Sequence, residues 1–390
     1  MGPQLVETRH YLHSRPELSD HEERTSAFVA ERLRRLGLEP SVNVGGHGVT
    51  AQIQAGASSE PPPVLALRAD MDALPIQEEG DLPYRSQTPG VMHACGHDGH
   101  TAILLGVAEI LTALRDRLPC TVRLIFQPAE ETVGGARRMC EAGAMDGVSA
   151  IVSLHGWVHL PLGHIGVKAG PAMAAADTFD ITVQGRGAHA AYPHLAVDPI
   201  VIASRIVLTL QSAVSRETDP LEPAVVTVAR FDAGTAYNII PAEARIAGTV
   251  RTLDSGIRTA MQSAITRIAE GECAAAAATC RVTYTRGTPP VVNDAGIVQL
   301  VCAAAQATVG ADAVSDLLKP SMGAEDFAYY LERAPGAMFR LGLGNGAPGH
   351  TSRFDFDDRA LTVGVETFCR LCLAGLTPLP GLGASEAPSS

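Results

Sequence analysis

Val64-Leu65-Ala66-Leu67-Arg68-Ala69, running straight into Asp70-Met71-Asp72-Ala73-Leu74-Pro75, is the stretch from which the fold is read. A short, nearly unbroken apolar run that follows Pro61-Pro62-Pro63 and stops at carboxylates has the pattern of a strand buried on both faces. The chain after it keeps the same rhythm: 99–114 has helical spacing, 121–126 reads as a second buried strand, 135–142 as a helix and 150–154 as a third strand. Strands alternating with helices predict an α/β fold, a mostly parallel sheet flanked by helices on both faces.

On the N-terminal side, 4–36 has helical spacing with Gly37 as its stop, and Pro16 breaks or kinks it. A loop with Gly45, Gly46 and Gly48 follows. On the C-terminal side the small residues of 170–176 read as a hinge. Beyond it, strand character at 178–183, a helix at 199–214, strands at 224–231 and 244–251, a further helix and a strand at 280–284 make a smaller α+β insertion, ending before Pro289-Pro290. The remainder is mixed, with a strand at 337–343, a helix at 360–376 and a Gly/Pro/Ser-rich tail from Pro378 that is expected to be disordered.

Composition limits the partners. The 390 residues, at ~100–200 per domain, suggest two or three domains. With 46% hydrophobic and 18% charged residues, a disordered or fibrous chain is excluded. Thirty basic against 42 acidic residues give a net charge of -12, and no basic stretch could track phosphates, so neither nucleic acid nor an anionic membrane is an expected partner. No apolar run approaches the ~18–20 residues of a membrane span, and the N-terminus lacks a secretory layout; a cytoplasmic protein is expected. Lys168 and Lys319 are the only lysines, which leaves arginine to grip carboxylates. The eight cysteines are too sparse for a disulfide scaffold and read as buried thiols. Cys369 and Cys372 form a C-x-x-C pair inside an apolar helical pattern, away from the N-terminal βαβ context of a redox motif.

The densest chemistry is Met92-His93-Ala94-Cys95-Gly96-His97-Asp98-Gly99-His100, placed just before a predicted helix. In an extended loop, residues two apart face the same way, so Cys95 and His97 can reach one metal while Asp98 sits near a helix N-terminus. Glu130 and Glu131 follow the second strand; adjacent carboxylates point apart, so one can ligate while the other serves a reacting water as general base. Asp70, Glu130, Glu131 and His155 all fall at carboxyl ends of predicted parallel strands, where ligands gather in such sheets. His350 lies in a Gly-rich loop after the last strand. Cys95, His97, Glu131, His155 and His350 supply thiolate, imidazole and carboxylate, a set suited to zinc, manganese, cobalt or nickel rather than magnesium or calcium, and to two divalent ions. No Gly-x-Ser-x-Gly elbow, Walker loop or Gly-x-Gly-x-x-Gly after the first strand supports a serine hydrolase, a phosphate-binding enzyme or a Rossmann dehydrogenase.

These residues, with His13 to Glu22, Gly185-Arg186-Gly187-Ala188-His189, Asn238-Ile239-Ile240-Pro241, Gly248-Thr249-Val250-Arg251, Met322-Gly323-Ala324-Glu325-Asp326 and His350-Thr351, resemble the dinuclear-metal aminoacylase/carboxypeptidase family. That family includes hippurate hydrolase and indole-acetyl-amino-acid hydrolases. The resemblance implies a zinc-peptidase-like catalytic domain of residues 1–173 and 288–390, interrupted by a lid and dimerisation domain of 174–287, and a homodimer or homotetramer. It implies that the five ligand candidates bind two metals and that Glu130 is the general base, with Asp70 behind them holding a ligand histidine in its tautomer. His189 resembles the lid residue that donates to the developing oxyanion; by itself it also fits a surface loop. Asn238 and Arg251 are similar to groups that hold the substrate carboxylate, or else are a turn residue and a solvated strand-end charge. Arg68 stands where the peptidase relatives carry His, which shifts the expected substrate from peptides to N-acyl-L-amino acids. The expected reaction is hydrolysis of their amide bond. A dipeptidase or carboxypeptidase on the same scaffold, and a non-catalytic conjugate-binding protein, remain alternatives.

Overall fold

The structure is a computed structural model describing residues 2–56, 61–132, 134–317 and 319–376; the tail expected from Pro378 lies outside the described residues. The chain divides into two compact units. The first takes residues up to Gly170, Val292–Lys319 and the described residues from Asp326 on; the second takes Pro171–Val291 and Pro320–Glu325.

The first unit begins with α1 (Gly2–His13) and α2 (Glu23–Arg35), two helices where the spacing predicted one interrupted at Pro16. The segment between them is put to use: Leu18 bridges to Ala73, and Glu17 accepts the Thr25 N–H at 2.8 Å. A hairpin of β1 (Ser41–Val44) and β2 (Gly48–Ile53) occupies what read as a glycine loop. Then come β3 (Val64–Asp70), α3 (His97–Ala113), β4 (Thr121–Gln127), α4 (Gly135–Glu141), β5 (Ala150–Trp157) and β6 (Ile165–Val167).

Within the second unit, β7 (Gly170–Met173) and β8 (Ala175–Gln184) run through the small-residue stretch as extended chain. They are followed by β9 (Ala188–His189), α5 (Pro199–Glu217), β10 (Ala224–Ala233), β11 (Ile239–Ile240), β12 (Glu243–Thr252), α6 (Ser255–Ala275) and β13 (Thr279–Arg286). An antiparallel sheet in the order β10-β12-β8-β13 carries α5 and α6 on one face. Alternation along the strands serves this arrangement: Phe179, Ile181, Val183, Ala244, Ile246 and Val250 point into a core of their own.

The chain returns through β14 (Val291–Asn293), α7 (Ala295–Val309), β15 (Val314–Asp316), α8 (Ala328–Leu331), β16 (Gly336–Gly342) and α9 (Leu361–Ala374). The large sheet has the order β1-β2-β4-β3-β5-β16-β6-β15 and is parallel through its centre, β4-β3-β5-β16. Central strands must be apolar on both faces, and Leu65, Leu67, Val122, Leu124, Val152 and Leu154 are all buried. α3 is buried nearly all round, which explains an apolar sequence without a polar stripe. The parallel register aligns Asp70 with Gln127, so β3 and β4 end at the same level.

Candidate metal centre

Segments that leave the ends of β3 and β4, the C-terminal half of β5 itself, and a C-terminal loop deliver the candidate ligands. Gly96 adopts a left-handed conformation (φ 94°) and turns the chain from Cys95 into α3, of which His97 is the first residue. The expected extended Cys-x-His geometry is therefore replaced by a turn and a helix start. The pair still converges: Cys95, His97 and His155 each place a ligand atom within 4.8 Å of the others, and so do Cys95, Glu131 and His350. Cys95 Sγ, common to both groups, lies 3.5 Å from His155 Nε2.

Two of the candidate imidazoles, His97 and His155, are oriented from behind. His97 donates its Nδ1–H to Asp72, to the backbone oxygen at 2.9 Å and to Oδ1 at 3.1 Å, and His155 donates its own to the Gly156 carbonyl at 2.7 Å. Their Nε2 lone pairs are thereby turned toward the group. Among the described residues, His97 Nε2 and Glu131 Oε1 are buried without a well-formed hydrogen bond; they lie 4.0 Å apart, with His350 Nε2 3.4 Å from the same oxygen and Asp70 Oδ2 3.7 Å from His97 Nε2. A buried polar atom without a bond costs ~1–3 kcal/mol, and a cation is what this donor set would satisfy. The residues present therefore fit a divalent metal. Glu130, also buried, places a carboxylate oxygen within 4.8 Å of ligand atoms of His97 and Glu131.

Backbone strain gathers here. Ala129 and His350 sit in the left-handed region (φ 52° and 61°), uncommon for residues with a Cβ and concentrated at functional sites. Both are pinned, Ala129 N–H to Glu22 Oε1 at 2.8 Å and His350 N–H to the Ala94 carbonyl at 2.7 Å. The second bond ties the C-terminal loop to the Cys95 loop. Beyond His155, the Trp157 indole has its ring centre 6.2 Å from the imidazole and the Arg340 guanidinium 4.0 Å over its face.

The electrostatics follow from burial. In the protein alone, loss of solvent pushes the Cys95 thiol up to about 12, and it lowers His155 well below the usual imidazole range. Burial raises Asp70 as well, but the Arg68 guanidinium at 2.6 Å, acting together with His97 and His100, outweighs it and holds the carboxylate far down. For Asp72, burial is likewise overcome by the hydrogen bonds from His97 and Ser19.

One expectation needs correction. The carboxylate that fixes a candidate ligand histidine at Nδ1 is Asp72, not Asp70. Asp70 spends Oδ2 on Arg68 and Oδ1 on His100 Nδ1 (2.7 Å), a histidine outside the expected ligand set, and meets His97 only from the Nε2 side, at 3.7 Å. His93, from the same motif, is buried beside His13 with no hydrogen-bond partner among the described residues.

The remaining expected residues belong to the second unit. β9 and β11 form a small ribbon in which His189 pairs with Ile239 and the Ala190 N–H bonds to the Asn238 carbonyl, so His189 and Asn238 are neighbours. His189 Nδ1 accepts the Ala191 N–H at 3.0 Å, which places the ring proton on the exposed Nε2. Arg251 lies near the end of β12, half-buried, bonded through Nη1 to the Val250 carbonyl at 3.3 Å.

Known proteins resemble the chain along nearly its whole length. An N-acetyl-L-cysteine deacetylase of Bacillus subtilis is 42% identical over 360 residues, covering 92% of this chain and 85% of that protein. An N-acyl-L-amino acid amidohydrolase of Geobacillus stearothermophilus is 45% identical over 290 residues, 74% of this chain and 78% of that one. Among solved structures, the Bacillus subtilis YXEP protein, described as a dinuclear metal binding peptidase from M20 family, superposes with a TM-score of 0.86 at 39% identity, covering 97% and 99% of the two chains. The pattern of peptidase family M20/M25/M40 matches residues 66–374. By that match and those identities, the chain belongs to peptidase family M20/M25/M40.

Proposed function

We propose that the protein is a metal-dependent amidohydrolase that cleaves the amide of N-acyl-L-amino acids into a carboxylic acid and a free amino acid. The observation that carries the reading is the convergence of Cys95, His97, Glu131, His155 and His350, with Glu130 beside them. The deacetylase and amidohydrolase among the relatives support the substrate class. Cys95, His97 and His155 would hold one ion and Cys95, Glu131 and His350 the other, the thiolate shared; zinc, manganese, cobalt and nickel suit such donors.

When bound, the two ions supply Lewis acidity to the amide carbonyl and to the attacking water. Glu130 takes the water's proton and returns it to the leaving amine. His189 donates its Nε2–H to the oxyanion, and Asn238 and Arg251 grip the substrate carboxylate, arginine through its fork of donors. In this reading the second unit is the lid and the dimerisation element of a homodimer or homotetramer, and the protein works in the cytoplasm. Among the described residues no helix is long and apolar enough to cross a membrane.

The test uses metal-loaded protein with acetyl, benzoyl and indole-acetyl conjugates of several amino acids and with dipeptides, reading the freed amine. Conjugates should be cleaved, and Glu130→Gln should lower kcat by about 10²–10⁴-fold with metal content retained. Faster cleavage of dipeptides would move the assignment to a dipeptidase. Tight conjugate binding without hydrolysis would make it a binding protein, and loss of metal in Glu130→Gln would make Glu130 a ligand.

A further inference from the structure

His100 lies one turn beyond His97 in α3 and is buried with both ring nitrogens committed. Nδ1–H donates to Asp70 Oδ1 at 2.7 Å, and Nε2 accepts the Gly156 N–H at 2.9 Å. That pair of bonds fixes the neutral, Nδ1-protonated tautomer and leaves no lone pair for a cation. The nearby grouping of Asp70, His97 and His100 is therefore no third metal site.

What His100 reaches is more informative. Gly156 is held from both ends: its N–H goes to His100, and its carbonyl takes the Nδ1–H of His155 at 2.7 Å. Asp70 in turn is clamped by Arg68 at 2.6 Å, Arg68 by Gln127 at 2.8 Å and Asp326 at 3.2 Å, and Asp326 accepts the Ala136 N–H at 3.0 Å. This buried chain of bonds crosses the ends of β3, β4 and β5 and the starts of α3 and α4. Its members stand within a few residues of His97, Glu131 and His155. The imidazole is also wedged in place, edge-on to Phe356 (6.0 Å, 80°) and 4.9 Å from the His155 ring. Phe356 gets that close because Gly99 and Gly156 lack a Cβ, which would meet the ring at 2.6 and 2.9 Å.

We propose that His100 is a positioning residue that ties the start of α3, which carries His97, to Asp70 and holds Gly156 beside His155, and so governs uptake of the ion assigned to Cys95, His97 and His155. The proposal rests on the metal reading above. Its consequence is selective: the ion assigned to Cys95, Glu131 and His350 should be affected less.

Metal-free wild type and the His100→Asn, His100→Gln and His100→Phe variants are titrated with cobalt(II). Bound metal is counted, the sulfur-to-cobalt charge-transfer band is recorded, and the thermal midpoint of each metal-free protein is measured. An Asn amide can replace the donor to Asp70 but not the acceptor for Gly156; a Gln amide oxygen can replace that acceptor. Wild type should take two ions. His100→Asn and His100→Phe should bind the second about 10–100-fold more weakly with an altered band, and His100→Gln, which restores only the Gly156 arm, should recover it in part. Equal affinity and spectra in all four proteins, failure of Gln to differ from Asn, or losses that merely track lower thermal midpoints overturn the proposal and leave the metal reading standing. Fewer than two ions in wild type overturns both.

Discussion

Asp72 joins the pieces of the candidate centre. Its Oδ1 takes the His97 Nδ1–H, while Oδ2 accepts the Glu131 N–H at 3.0 Å and the Ser19 hydroxyl at 2.7 Å. Every group facing it is a donor, so an amide in its place must turn an N–H toward another N–H or O–H. Asp72→Asn should weaken metal binding about 10–100-fold, measured by competition with a chromophoric chelator. Unchanged affinity would show that His97 does not depend on this carboxylate. The five ligand candidates were legible because rare residue types crowd short motifs at strand ends. The carboxylate behind them was not. Which of Asp70 and Asp72 meets His97 depends on how the chain bends after β3 and on the Gly96 turn, neither of which is written in residue spacing. Nor could a sequence show that Arg68 and His100 consume both oxygens of Asp70.

α1 is anchored to α3 by charge as well as by apolar packing. Arg9 and His13 both reach Asp98, at 3.1 and 2.9 Å, and His13 also faces Glu78 at 3.4 Å, with Tyr84 and His93 as its ring neighbours. Burial works against the charge on His13, but the hydrogen bonds it donates to Asp98 and Glu78 prevail and raise it to about 9. A raised folded-state value means that the charged form favours the fold. The contribution is complete below the unfolded value of about 6.5 and is lost as pH rises through about 9, at most on the order of 3 kcal/mol. Chelator-treated wild type should therefore show a thermal midpoint that falls between those pH values, and His13→Gln a lower and flatter one. A wild-type midpoint independent of pH would remove the charge from this account. At this scale, strong periodicity or unbroken apolar runs made β3, α3, β4 and β5 readable to within a few residues. The β1–β2 hairpin was missed because its glycines outweighed a short alternation, and α7 because its pattern blended with its surroundings.

Two separate hydrophobic cores, one for each unit, lead to an expectation about the whole molecule. Units with their own cores can unfold in separate steps, and all five ligand candidates belong to the first. Heating should give two transitions, of which only the first unit's moves with metal. Saturation at 100 times the dissociation constant should stabilise it by about 2.7 kcal/mol for each ion bound, and a chelator should reverse the gain. Calorimetry showing one transition, or equal shifts in both, would contradict the independence of the units. The small residues of 170–176 read as a hinge, and the two units divide at Gly170 and Pro171. The return of Pro320–Glu325 to the second unit was not legible in the sequence, since it is made by backbone bonds from Ala174 to Ser321 and Gly323 across a long separation, which local patterns do not register. The place of Trp157 has a practical use as well. It is the sole tryptophan of the chain, and its indole stands 6.2 Å from the His155 imidazole. The protein thus carries an intrinsic fluorophore beside its candidate metal centre, requiring no dye or label. Paramagnetic cobalt should darken its emission in step with the first equivalents added, whereas diamagnetic zinc should leave it largely bright; emission indifferent to cobalt would place the ion far from His155.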